Sequence, residues 1–213
     1  MLRYEIVSVT SYMQNCSIVW CDQTMAAAII DPGGDIDKIQ ATAEALGVKA
    51  GQIWVTHGHM DHAAGAAELA EVLNVPIYGP HEGDLYWLEM LSGNVRNMSG
   101  FENARSFVPE RWLNDGDILT LGQEKVEVRH CPGHTPGHVI FYAPSAKRAF
   151  VGDVLFAGSV GRTDFPGGDY DQLIESITKK LWPLGNDVVF IPGHGPESTF
   201  GRERQSNPYV GGT

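Results

Sequence analysis

The segment Thr56–His62 reads THGHMDH and places three histidines and one aspartate within six residues. Neutral imidazole and carboxylate both offer lone pairs to divalent cations, and nitrogen/oxygen sets of this kind suit Zn, Fe and Mn. Histidine has only an intermediate preference for burial, and aspartate is seldom buried without a partner, so packing alone does not account for this density. The segment follows the apolar run Ile53-Trp54-Val55, which puts His57, His59, Asp61 and His62 at the end of a strand. Further candidates stand downstream: His134 in CPGHTPGH, Asp153 directly after Gly152, and His194 in PGHG. Seven such residues are too many for one tetrahedral ion, but they suit two ions that share a bridging ligand.

The elements that must position these residues read as a layered α/β domain. Residues 2–9, 16–22 and 26–31 have strand character, and DPGGD at 31–35 ends the third strand. Residues 36–47 have helical periodicity and close on Gly47. A short strand at 52–55, an Ala-rich helix at 61–73 and a strand at 75–78 complete a β-α-β-α-β rhythm. Residues 81–113 begin as a helix in HEGDLYWLEMLSG and then become irregular, an excursion expected to overhang the site. From Asp115 the chain turns to β, with strands at 118–121, 125–130, 138–143 and 148–152. A helix at 170–181, opened by Asp169, a strand at 188–191 and a short polar helix in the tail follow. No linker or repeat interrupts the chain, so residues 1–213 read as one domain. His57, Asp61, His134, Asp153 and His194 all fall at or just beyond strand ends, where loops of layered α/β folds gather into one site.

Composition narrows the function classes. The formal charge is −11 over 213 residues, with no Lys/Arg run, which counts against nucleic acid or an anionic membrane as partner. Cys16, Cys21 and Cys131 are odd in number and show no CxxC spacing, so they read as buried thiols rather than disulfides or a thiolate zinc site. The N-terminus MLRYEIVSVT lacks the apolar stretch of a secretory signal, and no segment reaches membrane-spanning length. The expectation is a cytoplasmic protein.

Other residues keep two readings. Asp31 is a turn-former or cap, or else a group that orients a metal-bound histidine. His81 reads as surface or cap, and His138 as core or as a support to the ligands. Arg162 is the candidate for binding a substrate carboxylate through its planar fork; the competing reading is an ion pair with Asp164. Phe165, Tyr142 and the Trp87 region are candidates for an apolar wall, or for core.

The order HxHxDH, a lone His after Pro-Gly, Asp after Gly, and then PGHG resembles the metallo-β-lactamase superfamily, over Cys16 to Asn207. The resemblance implies a four-layer αββα sandwich, with one metal held by His57, His59 and His134. A second metal would be held by Asp61, His62 and His194, and Asp153 would bridge the pair. Two divalent ions are implied, Zn first, with Fe or Mn accepted by the same ligands.

Secreted zinc β-lactamases of the best-known branch carry Cys where this chain has Asp153, and flavodiiron proteins usually carry Glu where it has Met60. The chain is most similar to glyoxalase II, the hydroxyacylglutathione hydrolases, in their short bacterial form. That similarity implies a small-molecule thioester substrate such as S-lactoylglutathione, and a metal-activated water whose pKa drops from ~15.7 toward ~7. Asp61 and Asp153 are the candidate catalytic carboxylates, and Arg162 and Phe165 the candidate substrate contacts. The full-length enzymes carry a Lys-containing loop after the bridging Asp and a helical C-terminal domain. Here the loop reads GRTDFPGGD and the helical domain is not expected. GRTDF also resembles the iron-dependent persulfide dioxygenases, which makes that oxygen chemistry the alternative. Another metallo-hydrolase, or a non-catalytic metal-binding protein, comes after it.

Overall fold

Side-chain alternation along each strand builds the layers, because successive residues point to opposite faces. The computed structural model describes residues 1–212, excepting the side chain of Asn94; Thr213, the last residue of the domain read from the sequence, lies outside them. The first sheet holds β1 (Leu2–Val9), β2 (Gln14–Cys21), β3 (Ala26–Ile30), β4 (Lys49–Trp54) and β5 (Ile77–Tyr78) in that order. Its first three strands run antiparallel and its last three parallel. The second sheet contains β6 (Ile118–Leu121), β7 (Glu124–His130), β8 (Val139–Ala143) and β9 (Arg148–Gly152). A small ribbon, β10 (Leu155–Phe156) with β11 (Ser159–Val160), follows. Next come β12 (Val189–Pro192) and β13 (Ser198–Thr199), and the second sheet runs β13-β12-β9-β8-β7-β6.

Three apolar clusters separate four layers. In β2, Ile18 faces outward beneath α1 (Ile36–Leu46), whereas its neighbour Val19 faces the second sheet. In β8, Phe141 faces the first sheet, and Ile140 and Tyr142 face α5 (Tyr170–Ser176) and α6 (Phe200–Ser206). Trp54 and Phe141 meet between the sheets with ring centroids 5.3 Å apart. This is the αββα sandwich expected of the sequence. Tyr142 settles as core in the layer under α5, not as a wall of the site.

Several boundaries differ from expectation: the strand read at 52–55 spans Lys49–Trp54, and the helix read at 170–181 is α-helical over Tyr170–Ser176 and π-helical over Ile177–Leu181. The helix read over 61–73 is two helices, α2 (Met60–Ala63) and α3 (Ala66–Leu73), parted at Ala64-Gly65. At Gly65 the chain passes so close to the loop after β3 that a Cβ would stand 2.5 Å from the Pro32 carbonyl oxygen. Strand β5 starts at Ile77 rather than Val75, because Pro76 has no N–H to give the ladder, although its carbonyl accepts from the Ile53 N–H at 3.0 Å. The excursion at 81–113 holds α4 (Leu85–Met90), and its ends are tied where the Gly79 N–H donates to Arg111 O and the Leu113 N–H to Pro80 O. No helix of the described residues is long and apolar enough to cross a membrane.

Candidate metal centre

The C-terminal ends of β3, β4, β9 and β12, together with the β7–β8 turn, converge on one edge of the sandwich. There His57 Nε2 lies 3.1 Å from His59 Nδ1, and His134 Nε2 lies 3.0 Å from that same atom. Beside this triangle, His194 Nε2 is 3.1 Å and His62 Nε2 3.8 Å from Asp61 Oδ2. Asp153 stands between the two groups. Its Oδ1 is 3.3 Å from His62 Nε2, and its Oδ2 is 3.7 Å from His134 Nε2 and 3.8 Å from His194 Nε2. The structure thus brings together all seven residues picked from the sequence, grouped as the resemblance implies.

Hydrogen bonds at the outer ring nitrogens turn the inner lone pairs toward the centre. His134 Nδ1–H donates to the Arg162 carbonyl at 2.7 Å, and His194 Nδ1–H to the Tyr12 carbonyl at 3.2 Å. His62 Nδ1–H donates to Asp31 Oδ2 at 2.8 Å. The Thr56 hydroxyl donates to the same Asp31 oxygen at 2.6 Å, which leaves its own oxygen to accept from His57 Nδ1–H at 3.0 Å. Asp31 therefore fills both of its readings: it turns the chain at φ 52° and it orients two histidines. A third close group, Asp31 with His57 and His62, belongs to this outer network, since the Asp31 carboxylate already accepts three hydrogen bonds.

The donor set fits divalent metal. His62 Nε2 and Asp153 Oδ1 are buried without a hydrogen-bond partner, although they face each other at 3.3 Å. Leaving such groups unsatisfied is costly, and a cation between them removes the cost. Burial holds the imidazoles of His57 and His134 below their usual pKa and that of His59 at about 3, so all three are neutral and able to ligate. His62 and His194 behave differently. Burial again opposes charge, but the Asp153 and Asp61 carboxylates outweigh it and raise the pKa of each ring. Ligation needs the neutral ring, so a metal and a proton compete for these two residues. Asp61 and Asp153 are ionised against burial, Asp61 through His62 and the His194 hydrogen bond, and Asp153 mainly through His62.

The supporting residues were mostly invisible in the sequence. Asp84 is fully buried and accepts three hydrogen bonds: from the Gly58 N–H at 2.8 Å, the Thr135 hydroxyl at 2.8 Å and the Gly137 N–H at 2.5 Å. One carboxylate thereby joins the loop of His57 and His59 to the loop of His134. Burial pushes its pKa up to about 6, against the pull of those hydrogen bonds. Asp84→Asn would turn an amide N–H₂ toward a backbone N–H, of Gly58 or of Gly137, that can only donate. We expect it to lower unfolding free energy by ~1–3 kcal/mol in urea titrations, with weaker metal binding. A variant as stable as the parent would remove Asp84 from this role. On the other side, the Asn15 side chain donates to Pro192 O at 3.0 Å and Gly195 O at 2.9 Å, fixing the loop that carries His194.

His138 is buried, stacks on His57 with centroids 4.5 Å apart and accepts the Asp153 N–H at Nε2, so it supports the site from behind. His81 caps the turn at Glu82–Asp84, accepting from the Gly83 N–H at 3.1 Å, and stacks on His130 away from the centre. His81→Ala should leave bound metal unchanged by elemental analysis; a loss of metal would place it in the site after all.

A cavity of about 540 Å³ opens onto His59, His134, Asp153 and His194. Trp87, Met90, Leu91 and Val95 from the overhanging excursion line it, together with Phe156 and with Phe165, whose ring meets Trp87 edge-on at 6.1 Å. Phe165 meets His59 edge-on at 5.0 Å. Arg162 also lines the cavity, but its guanidinium pairs with Asp164 through both oxygens, at 2.9 and 2.7 Å, and lies 4.4 Å over the Phe165 ring.

The profile of the metallo-beta-lactamase superfamily matches residues 9–194. Among curated relatives, a hydroxyacylglutathione hydrolase, GloC, of Haemophilus influenzae is 44% identical over 98% of both chains. Among solved structures, the BLEG-1 B3 metallo-beta-lactamase superposes with a TM-score of 0.88 at 31% identity, over 100% of both chains. TTHA1623 in a di-iron-bound form superposes with a TM-score of 0.85 at 36% identity, over 97% of this chain and 100% of that one.

Proposed function

The chain belongs to the metallo-beta-lactamase superfamily, and from that membership we propose that it is a metal-dependent hydrolase of thioesters of the S-lactoylglutathione type. The observation that carries this reading is the placement of Asp153 between two three-residue ligand groups. The likeness to GloC supports the thioester as substrate class. His57, His59 and His134 would hold one ion, Asp61, His62 and His194 the other, and Asp153 both. The likeness to TTHA1623, solved with two irons, supports iron beside zinc as the metal.

When bound, the ions supply an ionised water at neutral pH and polarise the thioester carbonyl. The chain's own groups do the rest. Asp61 and Asp153 face the gap between the two histidine sets, where their carboxylates would orient the attacking water. Phe165 and Trp87 shield the reacting carbonyl from bulk water. The leaving thiol, with a pKa near ~8.5, departs as thiolate, so no strong acid is required. Among the described residues lining the cavity, the ligands themselves are the only carboxyl or imidazole groups.

The test is release of free glutathione from S-lactoylglutathione by metal-loaded protein, with His134→Ala as control. Turnover that disappears in the control is expected. Metal-replete protein without turnover, taking up oxygen when given glutathione persulfide, would replace this reading with the dioxygenase.

A further inference from the structure

We propose that this site recognises its substrate through an apolar acyl group, which lies against Trp87, Met90, Leu91 and Val95, so that thioesters with bulky apolar acyl groups are preferred to the small polar lactoyl group. The inference rests on the thioester reading and names the substrate class within it.

Four observations carry it. First, the wall is apolar where it meets the ligands: Trp87 stands edge-on to His59 at 4.4 Å and Phe165 at 5.0 Å. The acyl group and the thiol sulfur are both bonded to the reacting carbonyl, and of the two the acyl group is the part that can be wholly apolar and so match this wall. Second, no free cation waits for a carboxylate. Arg162 is the sole Lys or Arg among the described residues lining the cavity, and it is already paired with Asp164. Glutathione's two carboxylates therefore find little to bind here. Third, α4 leaves the large apolar side chain of Met90 uncovered, 48% exposed. Met90 lines the cavity as well, and its unbranched thioether adapts to chains of different shape. Fourth, the size is right: about 540 Å³ falls within the ~300–1,000 Å³ of small-molecule sites. Covering this wall removes apolar surface from water, which a methyl-sized acyl group cannot do.

The closing experiment separates recognition from chemistry. Binding of two non-hydrolysable thioethers, S-hexylglutathione and S-methylglutathione, is measured by calorimetry on metal-loaded protein. The hexyl compound is expected to bind roughly 10–200-fold more tightly; equal affinities would overturn the inference. Met90→Glu, at an exposed position where folding is not at stake, should reduce that ratio about ten-fold or more, and an unchanged ratio would also overturn it. Hydrolysis of S-hexanoylglutathione and S-lactoylglutathione is then compared. A higher kcat/KM for the hexanoyl ester is expected. A lactoyl ester cleaved equally well sinks the inference and leaves the thioester reading standing. Turnover of neither ester sinks the thioester reading itself, and the inference with it.

Discussion

Asp153→Ala is expected to remove most bound metal and to lower kcat/KM by at least roughly a thousand-fold, ~4 kcal/mol of transition-state stabilisation. Asp153 stands between the two groups, with Oδ1 toward His62 and Oδ2 toward His134 and His194. It is buried and yet ionised, because His62 beside it outweighs the cost of burial. Removing it leaves His62 Nε2 facing a void and takes away the charge that balances two cations. Asp153→Asn is the sharper companion, since it keeps the shape and loses the charge. Elemental analysis and turnover should fall together in both variants. Full activity with normal metal content would show that Asp153 does not bridge.

Gly193→Ala is expected to damage the centre without removing any ligand. A Cβ at this position would stand 2.5 Å from His62 Cε1 and closer still to Asp153 Oδ1. The backbone here has little room to withdraw, because the Gly193 N–H donates to Gly152 O and its carbonyl accepts the Asn15 N–H, both at 2.8 Å. The added methyl must push His62 or Asp153 off position. Overpacking of this kind costs ~1–3 kcal/mol of stability, and displaced supports cost a metal site about 10–100-fold in affinity. Competition with a chelator measures the affinity and thermal unfolding the stability. Parental values for both would mean that the loop yields and that the contact constrains nothing.

The residues that bear lone pairs were legible in the sequence because they come in dense, unusual patterns. THGHMDH and PGHG cannot be mistaken for ordinary strand or helix, and the strand endings before them were marked by apolar runs. The layer order followed as well, since alternation in segments such as Ile18-Val19 and Phe141-Tyr142 dictates two faces. What stayed hidden is whatever depends on one residue meeting another far along the chain. Asp84 looks like a helix cap in HEGD; its partners Gly58, Thr135 and Gly137 are brought to it only by the fold. The Tyr12 carbonyl behind His194 and the Asn15 amide under its loop carry no signal in a sequence, because backbone carbonyls and single amides have no pattern. Arg162 shows the limit from the other side. Its type suits a carboxylate, and the carboxylate it meets is that of Asp164, two residues away.

The most direct measurement follows turnover of S-lactoylglutathione while metal-free protein is titrated with Zn(II), and in parallel with Fe(II). A two-ion hydrolase gives activity that rises to a plateau near about two equivalents per chain, disappears on chelation and is absent in His134→Ala. Full turnover without added metal, or in that variant, would contradict a metal-dependent thioester hydrolase built on these seven residues.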